Sequence, residues 1–122
     1  MIKNNTVVLG FIYPGIEPYI DDYFHSLLFQ TYECFDLYLY NDGMDNSILN
    51  SLLIKYQKLN IKIICIEEKY TPAQIREIAI LEVADKYNYV IFTDIDDFFS
   101  ANRIEKSIEA LQYYDFVIMK CI

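Results

Sequence analysis

YVIFTDIDDFFS, residues 89–100, is the stretch from which the rest of the chain can be read. Its apolar, β-branched and aromatic run, Tyr89 to Thr93, ends abruptly in Asp94, Asp96 and Asp97. Such a run reads as a buried central strand, which places the aspartates just past its carboxyl end. In open α/β sheets ligands bind along that edge. Neighbouring carboxylates repel one another unless a positive charge joins them. A divalent metal carrying a phosphorylated ligand meets that need. Extended alternation would put Asp94 and Asp96 on one side, with Ile95 turned away. The competing reading is structural: Asp96 and Asp97 form a turn, and Asp97 or Ser100 caps the helix that follows.

Outward from this stretch, strands and helices alternate. Thr6 to Tyr13 reads as a first strand, punctuated by Pro14-Gly15. Ile20, Phe24, Leu27 and Leu28 recur at helical spacing within Glu17 to Phe29. Asp36 to Tyr40 is a second strand closed by the turn tripeptide Asn41-Asp42-Gly43. A helix is expected over Asp45 to Leu59, and a third strand over Ile61 to Ile66. Thr71-Pro72 opens the next helix as N-cap and first helical residue. After the strand at Tyr89, Ser100 is expected to cap a last helix carrying Ile104, Ile108 and Leu111. Asp115 to Cys121 reads as a fifth strand. The fold class is therefore α/β: a three-layer α/β/α arrangement with a mostly parallel sheet and right-handed crossovers. The carboxyl ends of the first four strands then share one rim.

Composition sets the outer bounds. A chain of 122 residues makes one domain with a real core. Its hydrophobic content of 54% excludes a disordered chain. No apolar stretch approaches the ~20 residues of a membrane span, and the opening residues lack a signal-peptide pattern. A formal charge of −8 argues against nucleic acid as a partner. Cys34, Cys65 and Cys121 have no metal-site spacing and read as buried, reduced thiols. With His25 as the single histidine, multi-histidine metal sites are excluded.

Three α/β families compete for the aspartate motif. Ile91 to Phe98 resembles the DxDxT motif of haloacid-dehalogenase phosphatases. That motif belongs on a first strand, however, and Phe98 stands where it wants a small residue. Response-regulator receivers carry acids after the first strand, where this chain has Tyr13-Pro14-Gly15. The third resemblance covers nearly the whole chain. Ser26 to Gly43, SLLFQTYECFDLYLYNDG, resembles the SLLxQTYxxFELIVVDDG segment of family 2 glycosyltransferases with the GT-A fold. Ala73-Gln74-Ile75-Arg76 with Ile78-Ala79-Ile80 is similar to that family's SAARNxGI helix, and TDIDDFFSANRIEKSIEAL to its LDADDxxxPxxLExxxxxL signature. Agreement in order and spacing at this scale is far more specific than a short motif.

The resemblance implies roles. Asp42 matches the acid that contacts the base of a nucleotide-sugar, with an Asx-turn as its rival reading. Asp94 and Asp96 match the DxD that holds the ribose and the metal-bridged diphosphate, and Asp97 an adjacent acid. The implied metal, Mn2+ or Mg2+, would be held by Asp96, Asp94 and Asp97. Arg76 matches an arginine near the donor base or phosphates, with a solvated helix position as its rival. The chain also departs from the pattern. Phe11-Ile12-Tyr13-Pro14 replaces Pro-Thr-Tyr-Asn, and Asn41 replaces one acid. Glu77, Asn88 and Asn102 replace an asparagine, a glycine and a proline.

The resemblance implies a single nucleotide-sugar-binding domain over 1–122, corresponding to the donor half of a GT-A enzyme cut off after about five strands. The acceptor-binding half that carries the catalytic base is then absent, and no residue here is assigned that base. The expected function is metal-dependent binding of a nucleotide-diphospho-sugar, a UDP-sugar first among them. Inverting transfer to a glycan or lipid-linked acceptor would follow once the base is supplied. The alternatives are a non-catalytic relative and, more weakly, the phosphatase. The expected location is the cytoplasm, with peripheral attachment at the inner face of a membrane as a variant. The apolar strand at Asp115 to Cys121 would form an exposed edge inviting a homodimer.

Overall fold

The computed structural model describes residues 4–115. Four strands and four helices alternate along it: β1 (Thr6–Ile12), α1 (Glu17–Leu28), β2 (Phe35–Asn41), α2 (Asn46–Lys55), β3 (Asn60–Cys65), α3 (Pro72–Val83), β4 (Tyr89–Phe92) and α4 (Arg103–Leu111). All pairings are parallel, in the order β3-β2-β1-β4. The expected fifth strand lies outside the described residues.

This order follows from how the apolar residues are distributed. β1 and β2 are buried along almost their whole length, as central parallel strands must be. β3 alternates exposed and half-buried residues and forms an edge. The run at Tyr89, expected as a buried central strand, is corrected: β4 is only partly buried, with Ile91 inward and Phe92 exposed, and among the described residues it pairs with β1 alone. On one face Val8, Ile12, Leu37 and Leu39 meet Phe24 and Leu27 of α1, Leu49 and Leu52 of α2, and Ile104 and Ile108 of α4. On the other face Val7, Leu9, Tyr38 and Tyr40 meet Ile75, Ala79 and Val83 of α3. The three-layer expectation is met. Two crossovers step outward from β1 to β3, and the third carries the chain back to the far side of β1. That reversal creates a topological switch point between β1 and β4, with the carboxyl ends of all four strands on one rim.

Local chemistry accounts for most helix ends. Asp45 caps α2 by accepting from the Ser47 amide at 2.7 Å. Thr71 and Gln74 form a reciprocal capping box at the start of α3, with Pro72 at the first position. α2 stops at Lys55 instead of running to Leu59. Tyr56 is drawn into the core, stacked on Phe24 at 4.7 Å, with its hydroxyl on the Asp21 carboxylate at 2.5 Å. Two other expectations are corrected. Ser100 does not cap the last helix: α4 starts at Arg103, and its Asn102 N-cap makes no side-chain cap bond. Cys34 and Cys65 are exposed, because one lies in the loop before β2 and the other ends the edge strand. Among the described residues no helix is long and apolar enough to cross a membrane.

Candidate functional site

The site is built where β1 and β4 part company. Thr93, the residue after β4, is buried and tied to β1 twice: its amide and its hydroxyl both donate to the Leu9 carbonyl, at 3.0 and 2.8 Å. The Tyr23 hydroxyl donates to Thr93 Oγ1 at 2.6 Å. Burial holds the Tyr23 phenol well above its ordinary pKa, so it remains a donor. The chain therefore leaves the sheet from a fixed point, and the aspartates follow at once.

They do not continue as an extended strand. The Asp97 amide donates to the Asp94 carbonyl at 2.9 Å, and the Asp94 amide donates to Asp97 Oδ2 at 3.0 Å. This turn corrects the expectation that Asp94 and Asp96 simply alternate along one side. It brings all three acids together, one carboxylate oxygen from each lying within 4.8 Å of the others. Ile95 is turned inward, at 1% exposure, and anchors the loop in the core. The turn is present, although neither Asp97 nor Ser100 caps the following helix, and it is this turn that gathers the three carboxylates.

Two arginines answer the concentrated negative charge. Arg76 of α3 donates from Nη2 to Asp94 Oδ1 at 2.8 Å, its guanidinium 5.0 Å from the centre of the Phe11 ring. Arg103, the first residue of α4, lies 3.7 Å from Asp97 Oδ2 and is stacked 4.4 Å from the Phe99 ring centre. Among the described residues Asp96 makes no hydrogen bond or ion pair, and it is exposed. Three hard carboxylate donors on one turn suit Mn2+ or Mg2+, which bind oxygen ligands and keep open positions for phosphate.

Asp42 joins this group from the turn after β2. Its amide donates to the Ile12 carbonyl at 2.8 Å, locking the ends of β1 and β2 together. The side-chain work of the turn is done by its neighbour: Asn41 accepts from the Met44 amide at 2.8 Å and donates to the Met44 carbonyl at 3.0 Å. An aspartate at position 41 would lack that donor, which gives a physical reason for the departure noted there. Gly43 then takes φ +98°, a conformation that disfavours a side chain. The Asp42 carboxylate is left exposed, with no Asx-turn bond.

Asp42, Arg76, Asp94 and Asp96 all line one cavity of about 560 Å3, which Tyr13 and Pro14 also line. A narrower slot of about 80 Å3, lined by Tyr13, Asp42, Arg76 and the stacked Phe11 and Tyr40 rings, adjoins it. Asp97 stands behind the cavity wall, half-buried against Arg103. Glu67 and Glu68, on the same rim, are not among the residues lining either space.

The sequence reading missed two residues that hold the site. Arg103 stood in a segment read only as a helix start. Gln30 was read only as part of a motif. Its side chain is buried and donates to the carbonyls of Ser26 and Ser100 at 3.0 and 2.7 Å, while Oε1 accepts from the Ile104 amide at 3.0 Å. Gln30, from beyond the end of α1, thus supplies the cap that Ser100 was expected to give. Gln30→Ala would leave a buried amide and a carbonyl without partners. The expected loss is about 1–3 kcal/mol of stability, checked by urea unfolding.

Comparison with known proteins bears on this geometry. Residues 12–122 match glycosyl transferase family 2. The chain is 33% identical over 93 residues to an uncharacterized glycosyltransferase of Rickettsia bellii (strain RML369-C), a match that covers 75% of this chain and 13% of that protein. Residues 1–349 of S. aureus TarS, in complex with UDP-GlcNAc, superpose with a TM-score of 0.71 at 24% identity, covering 91% of this chain and 31% of that one. The glycosyltransferase GlyE of Streptococcus pneumoniae TIGR4 gives a TM-score of 0.56 at 15% identity, covering 86% and 26%. At these identities the likeness to solved structures establishes the fold. The chain spans about an eighth of the curated relative and under a third of these solved chains.

Proposed function

The chain belongs to glycosyl transferase family 2, and from that premise we propose that the cavity at the β1–β4 switch point binds the nucleoside-diphosphate part of a sugar donor together with Mn2+ or Mg2+. The observation that carries this reading is the convergence of Asp42, Arg76, Asp94 and Asp96, from three separate segments, on that one cavity. Each side chain is suited to one part of such a ligand. The slot beside the stacked Phe11 and Tyr40 rings takes a flat base, with the Asp42 carboxylate as acceptor for a ring N–H. Arg76 offers a cation to phosphate oxygens, and Asp94 accepts from ribose hydroxyls.

Asp96 and Asp97, with Asp94 beside them, would hold the divalent ion. When bound, that ion supplies charge neutralisation to the departing diphosphate. In the reaction this arrangement serves, an acceptor hydroxyl oxygen attacks the anomeric carbon. The new carbon–oxygen bond forms as the bond to the diphosphate oxygen breaks, and the configuration inverts. The acceptor's proton passes to a general base. No residue of this chain is assigned that role. In this reading residues 1–122 form one donor-binding domain, and the acceptor side lies in the further length that the relatives possess. The UDP-GlcNAc complex of TarS supports a UDP-sugar as the donor. A glycan or lipid-linked acceptor and a cytoplasmic setting complete the proposal.

Calorimetric titration of UDP with and without Mn2+ tests the reading. Binding that requires the metal is expected. Absence of binding to any nucleoside diphosphate, with or without metal, would overturn it and leave a non-catalytic relative.

A further inference from the structure

The three aspartates are not equivalent, and the difference bears on how the site takes up metal. Asp94 Oδ1 already accepts a charge-assisted hydrogen bond from Arg76 at 2.8 Å. The Arg76 guanidinium is steadied from below by the Phe11 ring, and its helix starts from a complete capping box. A divalent ion close enough to share that carboxylate would also face the guanidinium, and like charges at such range repel. Asp96, in contrast, has no partner among the described residues.

Building on the donor-site reading above, we propose that Arg76 is a resident counter-cation that withholds Asp94 from the divalent ion. The nucleotide-free protein then binds metal chiefly through Asp96, because Asp97 Oδ2 is itself held by the Asp94 amide and Arg103. The Arg76–Asp94 pair is half-exposed, with side-chain exposures of 42% and 60%, so solvent keeps it exchangeable. A bound diphosphate offers Arg76 other anionic oxygens and frees Asp94. Metal and nucleotide therefore assist one another's binding, and Arg76 carries the coupling between them.

The test measures Mn2+ binding by electron paramagnetic resonance of free Mn2+, without nucleotide, on the whole chain and on Arg76→Met, Asp94→Asn and the double variant, with Asp96→Ala as a separate control. Arg76→Met is expected to tighten Mn2+ by about two- to fivefold, the scale of an exposed ion pair. Asp94→Asn is expected to weaken Mn2+ by a factor at least about threefold larger in the Arg76→Met background than in the parent. The cycle cancels the general field of the lost arginine, which acts on both backgrounds. Equal factors in the two backgrounds, or Arg76→Met binding no tighter than the parent, would overturn the proposal while leaving the metal site standing. Absence of Mn2+ binding in all four proteins, or binding undiminished by Asp96→Ala, brings down the site reading itself and the proposal with it.

Discussion

Asp96→Ala is expected to weaken Mn2+-dependent binding of UDP by about a hundredfold or more, the largest functional effect of any single substitution in this chain. The expectation rests on the unequal state of the three acids. Asp94 is paired with Arg76, and Asp97 is held by the Asp94 amide and Arg103. Asp96 alone projects an exposed carboxylate into the cavity without a hydrogen bond or ion pair among the described residues. Removing a group that merely orients a metal ligand typically costs 10–100-fold in affinity. Removing the ligand itself belongs at or beyond the upper end, a loss of about 2.7 kcal/mol. An exposed turn position contributes little to folding, so the variant should unfold at nearly the parent temperature. Glu67→Gln removes the same charge from the end of β3 and should leave binding close to that of the parent. Calorimetry on the three proteins decides the matter. An equal loss in Glu67→Gln would mean that rim charge acts only in bulk, and undiminished binding in Asp96→Ala would take the metal away from this turn.

The sequence carried the elements of the fold because each is specified locally. Thr71-Pro72 with Gln74 forms the capping box that its spacing announces. The apolar runs at Thr6 and Asp36 became central strands, and Asn41-Asp42-Gly43 became the turn it resembles, whereas β4 is only partly buried and pairs with β1 alone among the described residues. The residues of the cavity were legible for a different reason. They sit at strand ends, and parallel strands deliver their ends to one rim whatever the packing between them. What escaped reading depends on contacts far apart in the chain. Gln30 caps α4 across 74 positions, and no window of sequence shows that a helix's amide will be satisfied from so far away. Arg103 reaches the aspartate turn only because α4 packs over β1 and β4. α2 ends early because Tyr56 has Phe24 and Asp21 to pack and bond with. The cysteines were misplaced on average tendency: Cys65 occupies the exposed edge strand, and its neighbours could not announce which strand that would be.

Gly10→Ala is expected to give the largest loss of stability, about 3 kcal/mol, and a fall in Tm of roughly 10–15 °C. Gly10 lies in the middle of β1, opposite Leu39 of β2. A methyl group there would come within 2.5 Å of the Tyr23 hydroxyl oxygen and 2.8 Å of a Leu39 methyl. Tyr23 and Leu39 are both fully buried, so neither has open space to retreat into. The clash falls on the hydroxyl that donates to Thr93, the residue from which the aspartate turn departs. Damage to the core at Gly10 is therefore transmitted to the site. The closest contact is a single oxygen atom, which makes the argument separable. Tyr23→Phe by itself should cost about 1 kcal/mol, through loss of the bond to Thr93. In the Gly10→Ala background the same change should instead recover stability, since it removes the atom that the new methyl strikes. Urea unfolding of the two single variants and the double variant gives the sign of the coupling. A Gly10→Ala protein within about 0.5 kcal/mol of the parent would show that β1 can shift away from α1. Additive losses in the double variant would place the strain on Leu39, and the aspartate turn would then owe its position to Thr93 and Ile95 without help from Tyr23.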